Sequence, residues 1–219
     1  MLYTYVVRYD DGKAPNPYWG VCTLAICKPG IRRRATVGDW IVGTGSRHSP
    51  VGDVGTSVVY AMHVTDTMTM AEYDGYTRSH MPQKVPLATS SDPRRRMGDS
   101  IYDFGKPGVP IRPGSPHSEK DRIRDLGGEY VLISDRFIYF GDQPRQLPED
   151  LLPIVKGGQG HRSQANEPYL GRFIEWLTAL DIPFGSVVGR PQEWSKRIPS
   201  GGKSHCSPRD LAKGEGSPR

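Results

Sequence analysis

The segment from residue 35 to residue 74 constrains the fold more than any other part of this chain. It contains an apolar run at residues 40–42, a glycine-rich loop, a second β-rich run at residues 57–64, and an acidic and aromatic helix start. Runs of β-branched and aromatic residues that are interrupted by glycine are typical of strands joined by a tight connection. Glycine at the end of a strand also lets a ligand approach the backbone closely. The segment therefore predicts two strands with a ligand-binding loop between them.

Further strands are indicated on both sides of this segment. Residues 2–9 alternate in the manner of a strand, and residues 21–27 are a short apolar segment that fits either a strand or a helix. Two short β-rich runs at residues 130–134 and 137–140 are separated by a polar turn, so we predict that they pair as a β-hairpin. The clearest helix is predicted to begin at an N-cap at Asn166, because apolar residues then recur at helical spacing up to Leu180.

Length and composition divide the chain into one domain and a tail. Residues 1–194 are long enough to bury a core and are predicted to form one domain. Within it, residues 79–128 form an irregular insertion rich in Pro, Gly, Arg and Ser, and a loop of that length is usually functional or mobile. Residues 195–219 lack any apolar period and are predicted to be a disordered basic tail.

The charge distribution gives no overall signal for nucleic acid. The chain carries +5, but the tail holds six Lys or Arg and two acidic residues and so contributes +4 of that charge. The predicted domain therefore has almost no net charge, and any binding of DNA has to depend on local basic patches.

Several classes of protein are disfavoured. No apolar run approaches the roughly 20 residues that span a bilayer, and the first residues lack the pattern of a signal peptide. We expect a cytoplasmic protein with no membrane partner. The three cysteines Cys22, Cys27 and Cys206 do not form a disulfide framework, and we interpret the first two as half-buried thiols in a reducing compartment. No Cys or His spacing indicates a metal site, so we expect no metal and no cofactor.

The first candidate site is an aromatic and basic cluster near the N-terminus. Tyr18 and Trp19 could stack on a nucleobase, and the amide of Asn16 could read its hydrogen-bonding edge. Lys28 and Arg32 could hold a phosphate. The alternative is that the rings belong to the core and that the two cations are solvated.

The second candidate site is the glycine-rich loop of the opening segment. Gly43, Thr44, Gly45 and Ser46 combine flexible backbone with hydroxyl groups at the end of a strand, which can offer hydrogen-bond donors to an anion. Trp40 precedes them and could line a base-binding cage or belong to the core. The spacing lacks the third glycine of a dinucleotide-binding loop.

The third candidate site is a second glycine-rich loop, at residues 156–163. It contains Gly160, His161 and Arg162 and leads into the predicted helix, whose N-terminus would favour an anion. His161 is the residue we select for acid–base chemistry, since its ordinary pKa lies near neutrality. The alternative is a surface loop with an exposed histidine.

Five sequence segments, taken together, resemble the nucleotide modification associated domain families, most of all the second of that series. These segments are YVVRYDDGKAPNPYWG, CTLAICKPGIRRR, VGDWIVGTGS, VVYAMHVTD and KGGQGHRS. The resemblance covers residues 1 to about 190, and it implies a bacterial or phage domain that is linked by genomic association to DNA base modification. Residues 36–75 also resemble the core of the PUA-like superfamily, in its EVE and ASCH branches, whose small barrels hold nucleobases.

The fold prediction is α+β, with a PUA-like curled sheet, mixed or antiparallel, or a barrel, and with peripheral helices. The leading functional hypothesis is a module that binds a modified nucleobase or nucleotide, free or flipped out of DNA, in a base-stacking pocket. Tyr18, Trp19 and Trp40 would stack on the base.

Two other functional hypotheses remain open. In the first, the chain is an enzyme that modifies or hydrolyses a nucleotide or DNA base, with His161 as acid or base and Lys28 or Asp10 assisting. In the second, it is a protein-interaction domain that uses the long insertion as a docking surface.

Overall fold

The computed structural model describes residues 1–195, in which ten strands form two sheets. Apart from Ser195, the predicted tail lies outside the described residues. The strands are β1 (Leu2–Val6), β2 (Cys22–Leu24), β3 (Trp40–Thr44), β4 (Ser57–His63), β5 (Asp66–Thr69), β6 (Tyr130–Ser134), β7 (Arg136–Tyr139), β8 (Arg145–Gln146), β9 (His161–Arg162) and β10 (Ser186–Val187). The large sheet has the order β10-β7-β4-β3-β1-β9, with β8 also paired to β4, and the small sheet has the order β2-β6-β5.

The large sheet is mixed and the small sheet is antiparallel. Strand β1 runs parallel to β3, and β7 runs parallel to β10, whereas the other pairs are antiparallel. The structure therefore confirms a mixed sheet in an α+β fold. The strand order of the described residues is open, with β9 and β10 at the two edges, so the large sheet does not close into a barrel.

The described helices are short. They are α1 (Pro29–Arg32), α2 (Met70–His80), α3 (Pro93–Arg96), α4 (Glu119–Leu126) and α5 (Leu170–Ala179), with 3-10 turns at Pro82–Lys84, Glu149–Ile154, Gln164–Tyr169 and Gln192–Ser195. Helix α2 begins with a capping box, in which Thr69 and Glu72 each accept a backbone N–H from the other. None of the helices in residues 1–195 has the length and apolar character needed to cross a membrane.

The N-cap predicted for α5 is wrong. Asn166 lies inside the 3-10 turn that precedes the helix, and its Nδ2 donates to the carbonyl oxygen of Leu2 at 3.1 Å. The side chain is fully buried, and it ties the start of the helical segment to β1 instead of capping a helix.

Two chain segments pass from one sheet into the other. Strand β4 continues into β5, and β6 continues into β7 through Asp135 alone. Because β5 pairs with β6 and β4 pairs with β7, these four strands form one antiparallel ribbon that belongs to both sheets. The predicted hairpin of residues 130–140 is therefore wrong. The Ser134 hydroxyl, which donates to the carbonyl of His63, fixes the point where the chain changes sheets.

Three apolar cores separate the layers. Alternating residues of β1 show the arrangement: Tyr3 and Tyr5 face the core between the sheets, whereas Leu2 faces a core covered by α5. The outer face of the small sheet packs against α2 and against Ile101 and Tyr102 of the insertion. The order of layers is thus α5, large sheet, small sheet, and α2 with the insertion.

A buried lysine anchors the insertion to the domain. Lys84 Nζ donates to Asn16 Oδ1 at 2.7 Å and to Thr23 Oγ1 at 2.9 Å. Burial lowers the pKa of Lys84 to about 8, and nearby Asp99 opposes that effect. Asp99 also accepts hydrogen bonds from Thr23 and from Tyr73. A buried ammonium group needs such partners, so this network fixes the path of residues 79–128.

We predict that Gly43→Ala destabilises the protein, because a Cβ there would lie 2.5 Å from Val7 Cγ2 and 2.6 Å from Tyr60 Cδ1. Overpacking of this kind costs about 1–3 kcal/mol in the free energy of unfolding. The matched control is Gly75→Ala within α2, where a Cβ meets open space and should stabilise the helix by about 1 kcal/mol. Urea denaturation followed by tryptophan fluorescence measures the free energy of unfolding of both variants. Equal values for the two variants would contradict the conclusion that close packing requires glycine at position 43.

Candidate functional site

A cavity of about 1050 Å³ opens at the end of β1. It joins two of the glycine-rich loops that the sequence singled out, namely those at residues 43–46 and 156–163. Its walls come from residues 5–9, from Cys27 and Lys28, from residues 45–48 with Asp53, Gly55 and Thr56, from Arg124, and from residues 155–160. We call this space the charged cavity.

The ionisable residues of the charged cavity are mostly cationic. Five of them are Lys or Arg and only one is acidic, although residues 1–194 as a whole have little net charge. Such a local excess favours anionic ligands, since the low-dielectric walls concentrate the field. The cations are Arg8, Lys28, Arg47, Arg124 and Lys156, and the acid is Asp53.

The second glycine-rich loop forms one wall with its backbone. Gly158 and Gly160 adopt positive φ values of 87° and 85°, a conformation that glycine reaches without steric cost. An added Cβ at Gly157 or Gly158 would meet nothing within 4 Å, so this backbone is open to a ligand. The loop is anchored where its last residues form β9 and pair with β1.

His161 lies beside the charged cavity, and Arg162 faces away from it. The ring of His161 packs 5.8 Å from that of Tyr3, and burial, with smaller contributions from Arg34 and Lys28, lowers its pKa. Successive residues of a strand point to opposite faces, so His161 and Arg162 do not address one ligand. The Nε of Arg162 is buried and has no hydrogen-bond partner within residues 1–195.

In the first glycine-rich loop, residues 43–46, the two glycines are required because neighbouring side chains and backbone leave no room for a Cβ atom. Gly43 leaves room for the core, as described above, and a Cβ at Gly45 would lie 2.5 Å from the carbonyl oxygen of Val54. Thr44 is buried and its hydroxyl donates to a carbonyl of β1. Only Gly45 and Ser46 of the four residues line the charged cavity.

Trp40 is a core residue on the far face of the large sheet. It is 3% exposed, and its ring lies 6.1 Å from those of Phe173 and Phe184. Trp40 therefore packs in the core and does not line the base-binding cage in which it was expected.

Tyr18 and Trp19 lie at a second cavity, of about 680 Å³. The ring of Tyr18 stacks on that of Trp194 at 6.3 Å, and the guanidinium of Arg94 lies 5.0 Å from the ring of Trp19. Neither residue lines the charged cavity, so the expected stacking residues and the expected phosphate-binding loops are not in one site.

Asn16 and Asp10 are interior residues. Asn16 is fully buried and holds Lys84, as described above. Asp10 is 2% exposed and accepts hydrogen bonds from the Tyr139 hydroxyl at 2.6 Å and from the Gln192 N–H at 3.2 Å. Burial raises the pKa of Asp10 to about 7. The structure thus gives both residues structural partners in place of a ligand.

Arg32 is buried and its guanidinium is occupied. Its Nε donates to the carbonyl of Cys27 at 2.8 Å, its Nη1 to the carbonyl of Tyr130 at 2.9 Å, and its Nη2 to the carbonyl of Asp125. With no exposed surface, Arg32 cannot reach a phosphate in the charged cavity, which corrects the expected role.

A group of three side chains that begins at the wall of the charged cavity with Cys27 contains two residues, His117 and Asp125, that were not among the predicted site residues. Cys27 Sγ lies 3.7 Å from His117 Nε2, and the opposite ring nitrogen of His117 hydrogen-bonds to Asp125. The available signal was a cysteine directly before a turn, with a histidine and an aspartate elsewhere in the chain, and that signal is weak without the fold.

Comparison with protein families matches residues 1–198 to the nucleotide modification associated domain 2. The chain belongs to this family. No curated protein and no solved structure matches it. The family name associates the domain with nucleotide modification, which agrees with the resemblance seen in the sequence.

In this nucleotide modification associated domain, the predicted site residues are distributed over three regions. Those at the charged cavity are Lys28, Gly45, Ser46 and Gly160, with His161 beside it. Those at the second cavity are Tyr18 and Trp19. Those with interior or outward-facing roles are Asp10, Asn16, Arg32, Trp40, Gly43, Thr44 and Arg162.

We predict that the contribution of Asp10 to the stability of the domain falls as pH rises from about 4 to about 7, because folded Asp10 keeps a proton that the unfolded chain releases. The contribution of this one group is at most roughly 4 kcal/mol. Asp10→Asn removes the titration, so the slope of unfolding free energy against pH should become less negative in that window. Urea denaturation at a series of pH values measures the slope, and identical slopes for the two proteins would refute the prediction.

Proposed function

We propose that the charged cavity binds a nucleotide through its phosphate. The observation that carries this proposal is the convergence of five cations and an open glycine-rich backbone on one cavity that holds a single acid. Membership of the nucleotide modification associated domain 2 family supports the same class of ligand.

The phosphate end of the ligand is assigned to the second glycine-rich loop. Lys156 lies at the start of this loop and supplies a compact positive charge. The backbone around Gly158 and Gly160, with its positive φ values, can turn N–H groups towards an anion. Lys28 lines the same cavity, with its Nζ 4.6 Å from the centroid of the Tyr5 ring.

The base end of the ligand is assigned to Tyr9. This ring is 41% exposed and lines the charged cavity, with the guanidinium of Arg8 5.4 Å from its centroid. An exposed aromatic ring next to a cation offers a stacking surface that accepts any base. In this proposal Tyr9 takes the stacking role that was predicted for Tyr18, Trp19 and Trp40.

The size of the cavity supports a ligand as large as a nucleotide from DNA. Pockets for small molecules usually enclose about 300–1,000 Å³, and this cavity is slightly larger, with about 1050 Å³. We infer a modified nucleobase or its nucleotide, free or flipped out of DNA, in a bacterial or phage modification system. Flipping a base costs a few kcal/mol, which stacking and phosphate contacts can offset.

A second candidate function keeps His161 as an acid–base group for a bound nucleotide. Its lowered pKa favours the neutral ring near pH 7, and a neutral ring is suited to act as a base. We predict that His161→Ala then loses at least about tenfold in turnover of a nucleotide substrate. Product formation followed by mass spectrometry measures turnover, and full activity in the variant would remove this assignment.

We predict that Lys156→Ala weakens binding of deoxynucleoside monophosphates by about tenfold, because a charge-assisted contact to phosphate is lost. Binding of the matching deoxynucleosides should change little. The control is Lys106→Ala, which removes an exposed lysine outside the cavity that pairs with Asp103. Isothermal titration calorimetry at two salt concentrations measures both ligand series.

Two outcomes would contradict the proposal. One is equal affinity of the parent protein for nucleosides and nucleotides, which would show that phosphate is not recognised. The other is equal loss of affinity in the Lys156 and Lys106 variants, which would show that only overall charge matters.

A further inference from the structure

We propose that Cys27, His117 and Asp125 form a catalytic group that transfers or hydrolyses an acyl group, carried as an amide or ester by the ligand of the charged cavity. Cys27 is the nucleophile, His117 the general base and acid, and Asp125 the group that orients the histidine. The nature of the acyl carrier rests on the proposed nucleotide-binding function, whereas the chemistry of the three side chains stands independently.

The geometry assigns each role. His117 Nε2 lies 3.7 Å from Cys27 Sγ, within hydrogen-bond range for sulfur, and His117 Nδ1 is bonded to Asp125 Oδ2 on the opposite side of the ring. When Nδ1 donates its hydrogen to a carboxylate, Nε2 carries the lone pair and can accept the thiol proton. Nucleophilic catalysis recurrently uses this arrangement, in which a base contacts the nucleophile and a third group orients the base.

Asp125 is held in place by more than its histidine. Its Oδ1 accepts the backbone N–H of Cys27 at 3.0 Å, and its Oδ2 accepts the hydroxyl of Tyr102 at 2.9 Å. Burial raises the pKa of Tyr102, so this hydroxyl remains a donor. The carboxylate thus positions both the base and the backbone of the nucleophile.

The nucleophile is accessible from the cavity, whereas the two residues that assist it are shielded from solvent. Cys27 is partly exposed and lines the charged cavity, whereas His117 is 6% exposed and Asp125 is fully buried. The thiol can meet a ligand while water has little access to the histidine–aspartate pair. Cys22 provides the contrast: it is fully buried, and burial raises the pKa of its thiol to about 12.

The backbone at the nucleophile is strained. Cys27 and Lys28 have φ values of 59° and 42°, in the left-handed region that side chains other than glycine rarely adopt. A residue in this conformation is strained and persists only when its surroundings hold it. Arg32 does so by binding the Cys27 carbonyl. The sharp turn presents the thiol at the cavity wall, as nucleophile turns do in hydrolases.

The arrangement differs from that of a metal site. The cysteine and the aspartate lie on opposite sides of the imidazole ring, so the three side chains form a chain and do not converge on one point. Within residues 1–195 no three His, Cys, Asp or Glu side chains are grouped to hold a metal ion.

The reaction follows from these roles. The sulfur of Cys27 attacks the carbonyl carbon and forms a C–S bond, while the thiol proton moves to His117 Nε2. The C–N or C–O bond to the leaving group breaks, and His117 returns the proton to the departing amine or alcohol. Water, deprotonated by His117, then cleaves the thioester, releases a carboxylic acid and restores the thiol. The sum is an amide or ester plus water giving an acid plus an amine or alcohol.

Charges near the group suit an acyl reaction. Attack on a carbonyl develops negative charge on oxygen, and fixed positive groups stabilise that charge in a cavity that excludes water. Lys28, the chain neighbour of Cys27, lines the charged cavity and supplies such a charge. Arg124, the chain neighbour of Asp125, also lines the cavity, but its Nη2 is paired with Asp121 at 2.6 Å.

The first experiment uses p-nitrophenyl acetate as an acyl donor. The parent protein carries Cys206→Ser, because Cys206 lies outside the described residues and adds a third thiol to those of Cys22 and Cys27. We predict a burst of p-nitrophenolate with formation of an acetyl thioester at Cys27, located by peptide mass spectrometry. His117→Ala should slow the burst by about 100-fold, as expected for loss of a general base, and Cys27→Ser should abolish the thioester.

Controls keep the test independent of folding. Cys22→Ser should leave the burst unchanged, since that thiol lies in the core. Should His117→Ala fail to fold, Asp125→Asn and prior alkylation of Cys27 with iodoacetamide in the parent give the same comparison. A Cys27 that is acetylated no faster than N-acetylcysteine, or equally fast with and without His117, would overturn the proposal.

The outcome can be separated from that for nucleotide binding. Nucleotide affinity and the burst are therefore measured separately on the same parent protein, the first by calorimetry and the second with p-nitrophenyl acetate. A burst without any nucleotide affinity would retain the catalytic group and reject the nucleotide as acyl carrier. Nucleotide affinity without a burst would reject the catalytic group alone.

Discussion

The buried guanidinium of Arg32 is the interaction on which the rest of the site depends. By binding the carbonyls of Cys27, Asp125 and Tyr130, it joins the turn after β2, the end of α4 and the start of β6. Burial lowers its pKa, and a buried charge of this kind is tolerated only when hydrogen bonds satisfy it. Gly128 is part of the same constraint, because a Cβ there would lie 2.7 Å from Arg32 Nε. One side chain thus sets the distance between the cysteine and the aspartate.

Local pattern was enough to predict β1, β3, β4 and β7 of the large sheet, but not their partners and not the two-residue strands β8, β9 and β10. Alternation identified β1, and β-rich composition identified β3 and β4, because these patterns reflect burial along a single strand. The hairpin prediction failed at Asp135, since a two-sheet ribbon and a hairpin have the same short turn in sequence. The packing that requires glycine at position 43 could not be predicted from the sequence either, because Tyr60 comes next to Gly43 only through the pairing of β3 with β4.

The candidate site was predictable only in part, for a related reason. Glycine-rich loops are visible in sequence, and two of them do meet at the charged cavity. Aromatic residues carry no such marker, because Trp40 in the core and Tyr9 at the cavity differ only in their tertiary surroundings. Cys27 and His117 are 90 residues apart, and the histidine lies in the least regular part of the chain. No periodicity connects them, so the fold is needed to bring them together.

The ribbon of β4, β5, β6 and β7 has a consequence for how the charged cavity can open. Since the same strands belong to both sheets, the sheets cannot separate without breaking strand pairing in the ribbon and the hydrogen bond that the Ser134 hydroxyl donates to the carbonyl of His63. The two sheets therefore form one unit, and a ligand has to enter the charged cavity past the loops at its rim. The rim consists of the loop at residues 45–56, which connects β3 to β4, and the loop at residues 156–160, which precedes β9. A ligand therefore enters the charged cavity by displacement of these two loops and not by separation of the two sheets.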